Sequence, residues 1–242
     1  MKFILTLILT SLYTCAFAQF NDTVNYHLHA GATGTINQTE SSNAYVFDNN
    51  LGFSIKKKEL ALNSANDWIY GMQQNVQTNN DYTSTLDFDL YKTLPHFYYW
   101  GLGNYTTSYS LKINSQYQVG AGVAYNLIDK KTMMLNISDG ILYEGSDIIL
   151  PDTTRDVYNT YRNSFRLSFK WNVKDRISFH AMGYYQNSFS SGSDYIVRAN
   201  AGLDIKLYKW LVFTTAFTYN RFNRTQKENT LFTYGLTIDR FF

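Results

Sequence analysis

Ser178-Phe179-His180 sets a hydroxyl and an imidazole two residues apart. On an extended chain such residues share a face, with backbones about 6.6 Å apart. A serine beside a histidine is the beginning of an acyl-transfer centre, and a lipid hydrolase working at a membrane boundary would use such a pair. That chemistry also needs a carboxylate to hold the imidazole tautomer, and spacing alone assigns none. His27 and His29 repeat the pattern and offer two imidazoles to a metal. Two ligands do not make a site, and no cysteine or clustered carboxylate joins them. Phosphate loops and dinucleotide fingerprints are absent. The reading is therefore a protein without enzymatic activity or cofactor, with a Ser178/His180 lipid hydrolase as the alternative.

The other chemistry is charge held on one face. Taking odd-numbered residues outward in the later strands leaves Arg166, Lys170, Arg176, His180, Arg198, Asp204 and Lys206 facing inward. The same parity argument in the early strands turns Asp48, Asp87 and Asp89 inward. If these strands close into a barrel, a basic wall faces an acidic one across the lumen. Such a field orients dipolar solutes in the way charged rings tune pores. The plainer reading is that these groups are paired or hydrated within a narrow interior.

The elements that would position these residues are strands. Period-two alternation runs through most of the chain, and no stretch holds helical spacing over three turns. Tyr195, Val197, Ala199, Ala201, Leu203, Ile205 and Leu207 alternate with a mostly polar set. Phe165 to Val173 and Tyr117 to Leu127 repeat the pattern. Earlier segments are less regular: Tyr26 to Ile36, Tyr45 to Ile55, Trp68 to Val76, Leu86 to Leu90, and Phe97 to Gly103. The 21 Tyr and 17 Phe favour strands, while only 2 Pro are present to interrupt them. Short turns at Asp129-Lys130-Lys131, Val173 to Arg176 and Leu207 to Trp210 alternate with longer loops at Glu144 to Asn159, Asn187 to Asp194 and Arg221 to Asn229. Lys56-Lys57-Lys58-Glu59 reads as a further solvated turn.

These spacings predict an all-β, single-domain, up-and-down antiparallel transmembrane β-barrel over residues 19–242, with twelve strands and ten as the fallback. A secreted soluble β-barrel binding an apolar ligand is the competing architecture. The length of the segments, the tyrosines at their ends and the terminal strand argue for the membrane. That strand puts Phe232, Tyr234, Leu236, Ile238, Arg240 and Phe242 on one face. Phe242 resembles the ending of bacterial outer-membrane barrels, which implies recognition by the barrel assembly machinery.

The first residues give the compartment. Lys2, the apolar run Phe3 to Leu12 and Ala16-Phe17-Ala18 form an export signal cleaved after Ala18. The run is too short for a spanning helix. Cleavage removes Cys15, the only cysteine, and leaves 242 − 18 = 224 residues. The net charge of +2 falls to +1 without Lys2. With basic residues scattered, no nucleic-acid partner is indicated. The expected surroundings are outer-membrane lipids of a Gram-negative bacterium.

Laid out this way, the chain resembles the YdiY-like, salt-induced outer-membrane protein family, a domain of unknown function. The resemblance covers Asp81 to Phe242. It rests on YQVGAGVAYNLIDKKTMMLNISDGILYE (Tyr117 to Glu144), FRLSFKWNVKDRISF (Phe165 to Phe179) and the terminal strand. It implies an outer-membrane barrel and supplies neither a catalytic motif nor a mechanism. The expected role is non-enzymatic: a narrow pore, or a structural, stress-related component of the envelope.

Overall fold

The computed structural model describes residues 25–38, 42–174 and 176–241; the expected export signal at residues 1–18 and Phe242 lie outside them. Twelve strands follow in order: β1 (Tyr26–Gln38), β2 (Asn43–Lys57), β3 (Leu60–Gln73), β4 (Val76–Leu94), β5 (Phe97–Ser108), β6 (Ile113–Lys130), β7 (Met133–Ile149), β8 (Arg155–Val173), β9 (Ile177–Ser188), β10 (Tyr195–Lys206), β11 (Leu211–Phe222) and β12 (Lys227–Phe241). Each pairs antiparallel with its sequence neighbours, and β1 closes on β12 from His27↔Phe241 to Gly34↔Tyr234. Closure leaves no free sheet edge across the bilayer, where an unpaired peptide group would find no water.

Turn chemistry follows the strand twist. Gln74 and Asn75 both take positive φ, at 49° and 62°, which is the type I′ geometry that matches right-handed strands. Pro95 and Pro151 both fall in turns, where no ladder hydrogen bond is lost.

Burial is inverted relative to a water-soluble barrel. Leu51, Leu86, Val119, Leu167, Leu236 and Ile238 are exposed on the outer wall. Gln116, Gln118, Glu144 and Arg162 are buried within. An apolar exterior on this scale needs lipid around it. Aromatic contacts flank it at both ends. Tyr45–Phe47 (5.5 Å), Tyr143–Tyr161 (5.3 Å) and Tyr185–Tyr195 (6.1 Å) lie toward the β7–β8 turn end. Phe97–Tyr125 (4.7 Å) and Tyr26–Phe53 (6.3 Å) lie toward the end bearing the chain termini. The alternation on β12 places Phe232, Tyr234, Leu236 and Ile238 outside, between buried Thr233 and Thr237.

The expected long loops are largely strand. β7 continues to Ile149 and β8 begins at Arg155, so most of Glu144 to Asn159 is paired ladder around a turn at 150–154. Likewise β11 reaches Phe222 and β12 starts at Lys227. Val76 opens β4 and does not close β3. β6, β7 and β8 have 18, 17 and 19 residues; about 9–11 suffice to cross a bilayer. Their surplus builds a collar at the β7–β8 end.

Candidate functional site

Within that collar, inward side chains of β6 to β10 pack into a buried, hydrogen-bonded layer. Arg162 on β8 and Glu144 on β7 are both 0% exposed and form a two-pronged ion pair, Nε to Oε2 at 2.7 Å and Nη2 to Oε1 at 2.8 Å. Arg162 Nη2 also donates to Asp194 Oδ1 at 2.8 Å, just before β10. Glu144 accepts further from Gln118 Nε2 (2.7 Å), the Tyr158 hydroxyl (2.9 Å) and Ser146 Oγ (3.2 Å). A fork-shaped guanidinium against a carboxylate is the geometry in which a buried pair recovers its desolvation cost, provided the remaining lone pairs are also met. Here they are.

In this layer, contacts also run across the lumen between strands that are not neighbours. Gln118 on β6 donates to Gln186 on β9 at 3.1 Å. Arg198 on β10 donates through Nη2 to Gln116 on β6 at 3.2 Å. Above them Leu111, Ile113, Ile148, Ile196 and Phe222 form an apolar cluster with Leu150 and Tyr158 packed against it. Arg224 from the β11–β12 turn lies 3.6 Å over the Tyr158 ring and donates to Asp156 (2.9 Å) and Asp194 (3.1 Å). The stopper is thus an apolar cap on a satisfied ionic layer.

Toward the termini the lumen is polar and more open. Asp48, Asp87 and Asp89 lie on the same strand faces as the buried or partly buried inner set. Asp67, which periodicity did not single out, joins them from β3, paired directly opposite Asn50. The two walls are not simply opposed. Arg166 extends from β8 to the Tyr98 hydroxyl on β5 at 3.2 Å, within electrostatic reach of Asp87 and Asp89. Lys170, His180, Arg198, Asp204 and Lys206 stand on the inner faces of β8, β9 and β10. Arg176 does not: it is an exposed residue of the β8–β9 turn, because β8 ends at Val173.

The register supplies the carboxylate that spacing could not assign. Ser178 pairs with Asp204 and His180 with Gly202, which brings Asp204 Oδ2 to 3.4 Å from His180 Nδ1. A hydrolytic triad would need Ser178 on the other ring nitrogen. Instead Ser178 donates to Asn172 at 2.8 Å, and the Nε2 edge of His180 lies against Gly202. His27 Nε2 is 2.8 Å from Asp239 Oδ1. Among the described residues no group of three or more His, Cys, Asp or Glu is arranged to hold a metal.

Arg162 and Glu144, the centre of the stopper, were not singled out from the sequence. The signal was there: Leu142, Glu144, Ser146 and Ile148 continue the inner parity of β7, but their polar members read as loop.

A family model described as "Protein of unknown function, DUF481" matches residues 28–239. No curated protein matches the sequence. Among solved structures, the NanC porin superposes with a TM-score of 0.54 at 8% identity, over 88% of this chain and 98% of that one. The translocator domain of autotransporter NalP from Neisseria meningitidis gives 0.51 at 11%, over 98% and 94%. The COG4313 outer membrane channel from Pseudomonas putida F1 gives 0.51 at 10%, over 93% and 98%. At these identities the likeness is one of fold, and the fold is that of outer-membrane β-barrels.

Proposed function

The chain belongs to the DUF481 family, and from that premise we propose that it is a narrow, non-enzymatic outer-membrane channel that rests closed. The observation that carries this reading is the Arg162–Glu144 pair, fully enclosed and set among side chains that bond across the lumen. A general porin leaves an aqueous passage; this lumen has a polar chamber open toward the termini and a stopper at the other end. The names of its structural neighbours, a porin and an outer membrane channel, favour passage of small solutes over catalysis. In this reading residues 1–18 are an export signal, and the barrel assembly machinery recognises the terminal strand. The charged chamber around Arg166 and Asp87 favours dipolar solutes over apolar ones.

Liposome swelling with a small zwitterion tests the proposal. Wild-type protein should swell the vesicles slowly. The double variant Arg162→Ala/Glu144→Ala removes both charges and their volume, and should raise the rate by about tenfold or more, since water and solute then replace a filled layer. Equal rates from equal amounts of inserted protein would turn the reading toward a structural component of the envelope.

A further inference from the structure

The outer wall carries a carboxylate where lipid should be, Asp139 of β7. On β7, Ser138 and Leu142 are buried on the inner face, so Ile137, Asp139, Ile141 and Tyr143 point outward. Asp139 is exposed. Val123 stands directly opposite it on β6, and exposed Phe165 and Leu167 flank it on β8. Ile137 is paired with Tyr125 of the aromatic ring near the termini, while Tyr143 belongs to the other ring. Asp139 therefore sits between the rings, inside the apolar belt.

An ionisable residue facing hydrocarbon is costly, and it persists where something binds it. Asp139 gives nothing to the lumen. Its Oδ1 accepts from Asn163 Nδ2 at 2.8 Å. Asn163 lies on β8 between buried Arg162 and Ser164, so it too points outward. This single bond leaves capacity unused: an amide carries two N–H donors, and a carboxylate has two acceptor oxygens. Donor and acceptor lie side by side on one patch, and a two-fold axis demands that self-complementarity.

We infer that Asp139 and Asn163 form the centre of an intramembrane interface between two copies of this chain. The second N–H of Asn163 donates to the Oδ2 of the partner's Asp139, and the two-fold axis repeats the bond in the other direction. Each carboxylate is then held by two amide donors. Ile137, Ile141, Val123 and Phe165 form an apolar collar that keeps water away, as around other interface anchors. Within lipid such polar bonds face little competition.

The test is sedimentation of the folded full chain in detergent micelles across a range of protein-to-detergent ratios, with Asp139→Leu and Asn163→Leu alongside. Both changes place an apolar side chain on a lipid-facing position, so folding, checked by heat-dependent gel mobility, should persist. Wild-type protein should form dimers. Each variant should raise the dissociation constant by about tenfold or more, the loss of one or two unsolvated hydrogen bonds. A wild-type protein that stays monomeric at every ratio would overturn the inference. So would dimers whose affinity neither substitution changes.

Discussion

Arg162→Ala should destabilise the barrel by about 3–5 kcal/mol, the cost of removing one partner from a buried ion pair. The substitution strands two carboxylates. Glu144 keeps Gln118, Tyr158 and Ser146 as donors, and Asp194 keeps Arg224, but neither set replaces a guanidinium fork. Glu144→Gln should cost less, because Asp194 still neutralises Arg162. A volume-conserving apolar pair, Arg162→Met/Glu144→Leu, should recover much of the loss, since the Glu144 carboxylate is then no longer left without its cation, while Asp194 keeps Arg224. Denaturant unfolding from lipid vesicles measures all three. A cost below about 1 kcal/mol for Arg162→Ala would mean that water already reaches the pair.

Gly122→Val should cost about 3 kcal/mol, at the upper end for overpacking. The Trp100 indole on β5 packs against Gly122 of β6 and Gly140 of β7. A Cβ on Gly122 would come within 2.5 Å of Trp100 Cζ2 and 2.6 Å of Cε2, and would also strike the Asp139 carbonyl oxygen. The ring has a further tether, a hydrogen bond from Nε1 to Val123 O at 3.3 Å. Because the ring is half of the conflict, Trp100→Ala/Gly122→Val should cost less than the sum of the single changes, by more than 1 kcal/mol. Strict additivity would show that the backbone clash alone sets the penalty. Glycine here serves close approach: the Trp100 ring fills the volume that side chains would take on two neighbouring strands.

Much of the architecture was legible because a barrel writes itself in period two. β6 and β8 to β12 carry apolar residues outside and polar ones inside, so their existence and the even strand count follow from alternation. The early strands were harder to bound. On β3 and β4 the outer faces include Ser64, Asn66 and Ser84, with Asn66 bonded to both Tyr82 and Ser84, so both faces look polar. The loops were misjudged for a related reason. Where strands rise above the bilayer, neither face must be apolar, and Glu144 to Asn159 has loop-like composition although it is mostly paired.

The stopper was legible only in part, since its bonds join residues far apart in the chain. Gln118 and Gln186 are separated by 68 positions and Gln116 and Arg198 by 82. Parity says which side chains point inward; it does not say which of them meet. The same limit applies to His180 and Asp204, which become neighbours through the β9–β10 register. Arg176 erred the other way, because parity was carried past the end of its strand.

The most direct measurement is single-channel current through wild-type protein in a planar bilayer, with insertion verified separately by protease protection. A lumen filled by Arg162, Glu144, Gln118 and Gln186 should give no steady steps at modest voltage, at most rare brief openings. Stable, long-lived porin-sized steps from the unmodified chain would contradict a closed resting state and move the constriction elsewhere.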